Sequence, residues 1–250
     1  MSRVIVKQLH GRGIEVPCQN TTDDDGPIPA KELFPVRNPN VLLLARKQSG
    51  KTTILYNITK AYVRDLGKDK LKVIIYSPSW NKNNVWKAIT KHLDENEIDW
   101  TAEDYFKGVD ANNKKFNHID QFNRKMGEGG RPESTYLMLF DDLGSDMTCP
   151  KLTNLLSKNR QYNLVICTCV HDVPDAKPKA LNNYDYIFMF PNITDTRILE
   201  LHRKLSPALG KDAFLKLYQS ATERPYNFLY FGNEPERYRY NFDRMIEFGE

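Results

Sequence analysis

The chain has 250 residues, of which 40% are hydrophobic and 27% are charged, and these globular proportions exclude wholesale disorder and a fibrous repeat. No apolar run approaches the roughly 20 residues of a membrane-spanning helix, and the first residues lack the apolar stretch of a secretory signal. The formal net charge of +4 permits a nucleic-acid-binding face without demanding one.

The four cysteines, at positions 18, 149, 167 and 169, form neither a CxxC pair nor another metal-ligand spacing. We therefore predict free thiols in a reducing compartment.

The first part of the chain predicts a lead-in followed by alternating strands and helices. Residues 1–37 include a proline cluster and are expected to be extended. Residues 41–45 form a continuous apolar run typical of a buried strand, and residues 51–66 continue with the apolar spacing of a helix. A second buried strand is predicted at 72–77 and a second helix at 85–96.

The rest of the chain predicts the same alternation after a polar stretch. Residues 97–134 are expected to form loops around one short helix at 119–126. Beyond them we predict a strand at 136–140, a helix at 151–160, strands at 164–169 and 186–190, helices at 196–205 and 212–220, and a strand at 227–231. This pattern predicts an α/β fold with a mostly parallel central sheet and helices on both faces. We expect one domain over residues 38–250, ending in a helical and strand extension.

A phosphate-binding loop is predicted between the first strand and the first helix. The segment from Ala45 to Thr52 follows the pattern GxxxxGK[ST], with alanine in place of the first glycine. Such a loop directs backbone N–H groups at the β-phosphate, next to the positive N-terminus of the helix. The alternative is a lysine-rich turn that only caps a helix. The expected nucleotide-binding residues are Ala45, Arg46, Lys47, Gln48, Ser49, Gly50, Lys51, Thr52 and Thr53.

Individual side chains of this site have expected roles in ATP hydrolysis with Mg²⁺. Lys51 would neutralise β- and γ-phosphate oxygens, and the Thr52 hydroxyl would be a Mg²⁺ ligand. Asp141 and Asp142 end an apolar strand, as in a Walker B segment, so Asp141 would hold the Mg²⁺ shell and Asp142 would orient or deprotonate the attacking water. Acidic pairs after strands also cap turns, which is the alternative for this pair. Aspartate is one methylene shorter than the glutamate that many such enzymes carry.

Several later segments resemble the poxvirus-type DNA-packaging ATPases of the FtsK/HerA superfamily, whose relatives occur in giant viruses, virophages and polinton-like elements. The resemblance spans roughly residues 38–245 and rests on the two phosphate-site motifs and on residues 76–80, 159–168, 173–174, 181–183 and 225–230. It implies a P-loop NTPase of the ASCE type.

The resemblance also implies two further catalytic residues. Thr168 stands where the family has a polar sensor for the γ-phosphate, more often glutamine, although a plain β-branched strand residue is the alternative. Arg160 ends the predicted helix before that strand, where similar ring ATPases present an arginine finger to the neighbouring subunit. An arginine that merely complements the helix dipole is the alternative. His171 is left outside the predicted site.

The resemblance implies a homo-oligomeric ring, a pentamer or hexamer, that moves double-stranded DNA into a preformed capsid at its portal or vertex. The expected location is the host cytoplasm or viral factory, or the virion. Loop lysines at 114, 115, 177 and 179 are candidates for contacts with DNA phosphates, since translocation needs charge rather than base readout. Solvated loop lysines are the alternative.

Two other functions remain open at this point. One is a different P-loop enzyme, such as a helicase or a AAA+ loader. The other is a degenerate NTP-binding virion protein, which Ala45 and Asp142 would favour.

Overall fold

The computed structural model describes residues 27–105, 107–109, 115–129, 132–143, 150–172, 178–233 and 236–246. The resemblance segment 173–174 and two of the cysteines, Cys18 and Cys149, lie outside the described residues. Of the candidate DNA-contacting lysines, Lys114 and Lys177 also lie outside them, as do the side chains of Lys115 and Lys179.

A nine-stranded sheet forms the centre of the described chain. Six parallel strands lie side by side in this order: β8 (Tyr186–Met189), β1 (Asn40–Leu44), β7 (Leu164–Val170), β6 (Thr135–Phe140), β2 (Leu71–Tyr76) and β3 (Asp99–Glu103). Beyond β8 the sheet continues with antiparallel β9 (Leu229–Gly232), β10 (Arg237–Tyr240) and β11 (Arg244–Ile246). A separate hairpin pairs β4 (Lys107–Val109) with β5 (Lys115–Asn117). The predicted α/β fold with a mostly parallel sheet is confirmed.

Helices cover both faces of the sheet, because successive side chains of a strand point to opposite faces. In β1, Leu43 faces α1 (Lys51–Lys70) and α2 (Asn84–Glu95), whereas Leu42 and Leu44 face the other layer. That second layer contains α3 (His118–Gly129), α4 (Pro150–Ser157), α5 (Pro178–Leu181), α6 (Asp195–Leu205) and α7 (Lys211–Ala221).

The regular part of the longest helix ends at residue 66, as the sequence predicts. α1 extends to Lys70, but Gly67 inside it has φ 63° and ψ −172°, which breaks the helix directly after Leu66. Glycine reaches this backbone region without the steric cost that other residues meet.

Three strands of the sheet were not predicted. β3 lies in the polar stretch 97–134 and alternates between exposed and half-buried residues, because it is the edge strand beside β2. β10 and β11 lie at the other edge and carry polar and charged side chains. In each case backbone pairing, rather than an apolar run, defines the strand.

The described part of the lead-in, residues 27–37, forms turns rather than an extended segment. Phe34 is fully buried and stacks on Phe188 of β8, with ring centroids 6.2 Å apart. Burial of this ring docks the turn against the same layer as α1.

Two further predictions concern membrane-spanning helices and free cysteines. None of the described helices is long and apolar enough to cross a membrane. Cys167 and Cys169 are buried free thiols in β7, so the prediction holds for these two cysteines.

Candidate functional site

The loop from Ala45 to Gly50 connects β1 to α1 at the carboxyl edge of the parallel sheet. The Ala45 N–H donates to the Val170 carbonyl at 3.0 Å, which joins the start of the loop to the end of β7. Gln48 and Gly50 adopt positive φ angles of 62° and 91°. The loop therefore turns back on itself, and Gly50 begins α1 as its N-cap.

The Lys51 ammonium lies between the two acidic residues that follow β6. Its Nζ is 2.9 Å from Asp142 Oδ1 and 3.7 Å from Asp141 Oδ1. Burial opposes the charge of Lys51, but Asp141 and Asp142 outweigh that effect and raise the pKa of Lys51 above its ordinary value. The two motifs predicted from separate parts of the sequence therefore meet in one charged cluster.

Asp141 is almost fully buried, and its carboxylate lies beside the Thr52 hydroxyl. Thr52 Oγ1 donates to Asp141 Oδ2 at 3.4 Å, while Asp141 Oδ1 faces the Lys51 ammonium at 3.7 Å and has no donor within hydrogen-bond distance among the described residues. Burial raises the pKa of Asp141, and the neighbouring Lys51 opposes part of that rise. A buried carboxylate oxygen without a donor is costly unless a cation or a water satisfies it.

These oxygen donors fit a hard divalent cation. Mg²⁺ is usually held by one or two carboxylates together with substrate phosphates and waters. In the part of the chain that the structure describes, no cluster of three or more metal-ligating side chains is present. A cation beside Asp141 and Thr52 would thus share its coordination with phosphate oxygens.

Asp142 is more exposed, contacts both Lys51 and His171, and has a constrained backbone. Its φ of 57° lies in the left-handed region, which is uncommon for a residue other than glycine. Burial would raise the pKa of Asp142, but Lys51 and His171 outweigh it, so the pKa lies below its ordinary value. This carboxylate stays ionised at neutral pH and is able to accept a proton.

The structure adds His171, a residue that the sequence analysis left outside the site. Its Nε2 lies 2.7 Å from Asp142 Oδ1, and its Nδ1 lies 3.1 Å from the Ala45 carbonyl oxygen. Both neighbours are acceptors, so each ring nitrogen donates to its neighbour only when it carries a hydrogen. The only sequence signal is position, since His171 directly follows the last residue of β7.

Thr168, the predicted γ-phosphate sensor, lies in β7 and is not among the residues that form this cluster. In the sheet it pairs with Leu42 and Phe140, two residues before β7 ends at Val170. Its side chain is fully buried close to the Tyr184 hydroxyl, within the layer opposite α1. The strand is longer at its carboxyl end than predicted, so the polar residue at the site is His171.

Arg160 lies at the opposite edge of the sheet from the phosphate loop. α4 ends at Ser157 rather than at Arg160, because the chain turns at Asn159, whose carbonyl accepts from the Leu164 N–H at 2.8 Å. Arg160 lies in that turn, with a side chain that is 73% exposed and 3.7 Å from Asp185. Within one subunit Arg160 does not reach the charged cluster, and it lies past the last turn of the helix.

An open cavity of about 310 Å³ lies over the loop and the charged cluster. It is lined by Lys47, Gln48, Ser49, Gly50, Lys51, Thr52, Thr53, Asn83, Val85, Asp142 and Tyr226. Ala45, the first residue after β1, is buried and Arg46 is exposed, and neither lines this cavity. Most of the predicted nucleotide-binding residues therefore surround one space.

The strand order defines the class of protein fold. β7 lies between β1, which leads into the loop, and β6, which leads into Asp141 and Asp142. An inserted strand between these two is the ASCE arrangement expected from the sequence. The chain has the fold of a P-loop NTPase.

Comparison with known proteins supports this fold but assigns the chain to no sequence family. No protein-family model matches the chain, and no curated protein matches it significantly. The fold matches the genome packaging NTPase B204 from Sulfolobus turreted icosahedral virus 2 in complex with ATP-gammaS, with 15% identity, a TM-score of 0.52, and coverage of 81% of this chain and 96% of that one. It also matches B204, the DNA-packaging ATPase from Sulfolobus Turreted Icosahedral Virus, with 13% identity, a TM-score of 0.54, and coverage of 82% and 97%.

At these low identities, the TM-scores above 0.5 establish a shared fold. The resemblance to viral packaging ATPases is thereby confirmed at the level of architecture, over nearly the whole length of both solved chains.

Proposed function

We propose that this chain is the ATP-hydrolysing motor subunit of a ring that moves double-stranded DNA into a viral capsid. The observation that supports it most is the meeting of Lys51 and Thr52, at the start of α1, with Asp141 and Asp142, at the end of β6. The packaging function is carried over from the solved structures that share the fold, which are packaging enzymes by their descriptions.

In the proposed binding step, the phosphates of ATP replace Asp142 as the partner of the Lys51 ammonium. In the structure, the Lys51 ammonium is paired with Asp142 at 2.9 Å. The β- and γ-phosphates of ATP would take over this ammonium, while loop N–H groups surround the β-phosphate. Asp142 would then lose its contact with Lys51 and retain its contact with His171.

The proposed hydrolytic step uses Asp142 as the base. Its carboxylate accepts a proton from water as the water oxygen bonds to the γ-phosphorus and the bond to the β,γ-bridging oxygen breaks, giving ADP and phosphate. Asp141 and Thr52 would hold Mg²⁺, which supplies charge neutralisation on the phosphate oxygens. His171 would keep Asp142 oriented from the side of β7.

Arg160 would act only across a subunit interface. Its exposed side chain, at the edge opposite the phosphate loop, is available to a neighbouring subunit in a ring. A guanidinium supplied in this way stabilises transition-state charge in related P-loop enzymes. Catalysis would then depend on assembly.

The decisive experiment measures phosphate release with and without duplex DNA, together with the molar mass by light scattering. We expect Mg²⁺-dependent turnover that duplex DNA stimulates in a ring-sized species. Lys51→Ala should abolish turnover and weaken ATP binding, because it removes the charge that faces the transferring phosphoryl group. ATP-dependent strand displacement would instead favour a helicase, and nucleotide binding without turnover would favour a degenerate virion protein.

A further inference from the structure

A second cavity, of about 260 Å³, opens beside the phosphate loop on the side of β8. Its lining includes Lys47, Gln48 and Ser49 of the loop, which also line the first cavity. Across from them lie Pro191 and Asn192, just after β8, and Glu223 in the segment after α7. The two cavities therefore share these loop residues as a common wall and lie next to each other along the edge of the sheet.

Tyr226 stands between the two cavities and lines both. Its side chain packs against the loop so closely that a Cβ added to Gly50 would lie 3.3 Å from Tyr226 Cδ1. Even so, Tyr226 is 69% exposed, which is unusual for a large aromatic residue beside a candidate site. One face or edge of the ring is therefore available to a ligand.

The backbone on both sides of this cavity is constrained. Tyr226 and Asn192 have φ angles of 66° and 68°, in the left-handed region. Residues other than glycine persist there when the surrounding structure holds them, and such residues concentrate at ligand sites. The loop after β8 is fixed by buried Tyr218, whose hydroxyl donates to the Phe190 carbonyl at 2.9 Å and accepts from the Ile193 N–H at 3.0 Å.

The direction of a bound nucleotide follows from the strand order. Asp142 follows β6, on one side of β1, so the terminal phosphate would lie on that side. Asn83 and Val85, at the start of α2, lie beyond β6 on the same side. The remainder of the nucleotide must therefore extend toward β8, which leads to Tyr226 and the second cavity.

We propose that the second cavity is a nucleobase subsite in which the Tyr226 ring stacks on the base of the nucleoside triphosphate. This inference rests on the proposed function and specifies its ligand. Stacking on an aromatic ring accepts any base, because every base has a π-face. Lys47, Gln48, Asn192 and Glu223 are exposed polar side chains that line this cavity and would lie near the base edge.

The test compares ATP with inorganic tripolyphosphate, which has no base, by calorimetric titration in the presence of Mg²⁺. In the wild type, ATP should bind more tightly than tripolyphosphate. Tyr226→Ala should lose about 5-fold to 150-fold in affinity for ATP, the range for loss of one base–aromatic stack, and should keep its affinity for tripolyphosphate. Tyr226→Phe keeps the ring and should bind ATP nearly as the wild type does.

The control is Tyr105→Ala, which removes another exposed tyrosine next to the edge strand β3 and should leave both affinities unchanged. Unchanged ATP affinity in Tyr226→Ala would overturn the subsite, and so would an equal loss for both ligands, which would mean that the ring only supports the loop. If Lys51→Ala binds ATP as the wild type does, the proposed function fails as well. The two failures are thus distinguishable.

Discussion

His171 Nε2 lies 2.7 Å from Asp142 Oδ1, and the same ring contacts the Ala45 carbonyl through Nδ1. One side chain at the end of β7 thus connects the carboxylate after β6 with the start of the phosphate loop. Lys51 contacts the same Asp142 oxygen at 2.9 Å. In the proposed binding step, phosphates would take over Lys51, and the contact with His171 would remain to orient Asp142.

The first prediction concerns this orienting contact. His171→Ala should lower kcat about 10-fold to 100-fold, the range for losing a hydrogen bond to a charged group, with little change in KM for ATP. His171→Gln retains an N–H donor and should recover part of the loss. In the Asp142→Asn variant, adding His171→Ala should lower kcat only slightly further, because the two residues act as a unit. If steady-state kinetics show that the effects of the two substitutions on log kcat add fully, this would count against a positioning role for His171.

The second prediction concerns Asp142 itself. Asp142→Asn keeps the size of the side chain but removes its proton-accepting charge, so kcat should fall about 10²-fold to 10⁴-fold. ATP affinity should be kept or increased, since Lys51 no longer has to leave a carboxylate to reach the phosphates. Single-turnover kinetics and equilibrium titration separate the two effects.

Asp99→Asn is the matched control for this substitution. It removes a carboxylate from β3 whose ion pair with Lys72, at 2.9 Å, is exposed. Such a pair contributes about 0–1 kcal/mol, so both kcat and ATP affinity should stay near the wild type. Normal turnover in Asp142→Asn would place the base elsewhere.

Much of the architecture could be predicted because the central strands are short apolar runs. β1, β6 and β7 are buried on both faces, and β2 is buried apart from Lys72 and Ile74. Hydrophobicity alone therefore locates the ends of these strands within a residue or two. β3 could not be found in this way, because an edge strand with one exposed face has no apolar run.

The candidate site was predictable only where its residues are adjacent in sequence to a recognisable motif. Asp141 and Asp142 directly follow β6, and Lys51 and Thr52 begin the helix after the phosphate loop, and these four residues meet in one cluster. His171 was missed because a shift of a few residues in the end of a strand decides which side chain reaches the edge of the sheet. Tyr226 was missed because a tertiary contact with Gly50, rather than any local pattern, brings it to the loop.

The third prediction concerns the stability of the loop after β8. Tyr218→Phe removes a buried hydroxyl and leaves the Phe190 carbonyl and the Ile193 N–H without that partner. The free energy of unfolding should fall by about 1–3 kcal/mol, the usual cost of such unsatisfied groups. Urea denaturation measures it. Tyr240→Phe is the control, because its hydroxyl contacts Ser220 at an exposed position and its loss should change stability by less than about 0.5 kcal/mol.

The fourth prediction separates two roles for Arg160. If Arg160 completes the site of a neighbouring subunit, Arg160→Ala should assemble and bind ATP normally but lose hydrolysis by about 10³-fold or more. If the residue only pairs with Asp185 at 3.7 Å on the surface, the change should be at most about 1 kcal/mol of stability, with turnover per folded subunit retained. Arg203→Ala, which removes another exposed arginine, is the control and should behave as the wild type.

Mixing the two inactive variants tests Arg160 directly. Arg160→Ala subunits retain Lys51, and Lys51→Ala subunits retain Arg160, so a mixed ring contains interfaces where an intact Lys51 site faces an intact Arg160. These interfaces should restore part of the phosphate release, in proportion to the share of such pairs, whereas either variant alone stays inactive. Co-assembly is confirmed beforehand by mass measurement on differently tagged subunits. Confirmed mixed rings that release no phosphate would remove Arg160 from the catalytic machinery and leave it as a surface residue of the turn after α4.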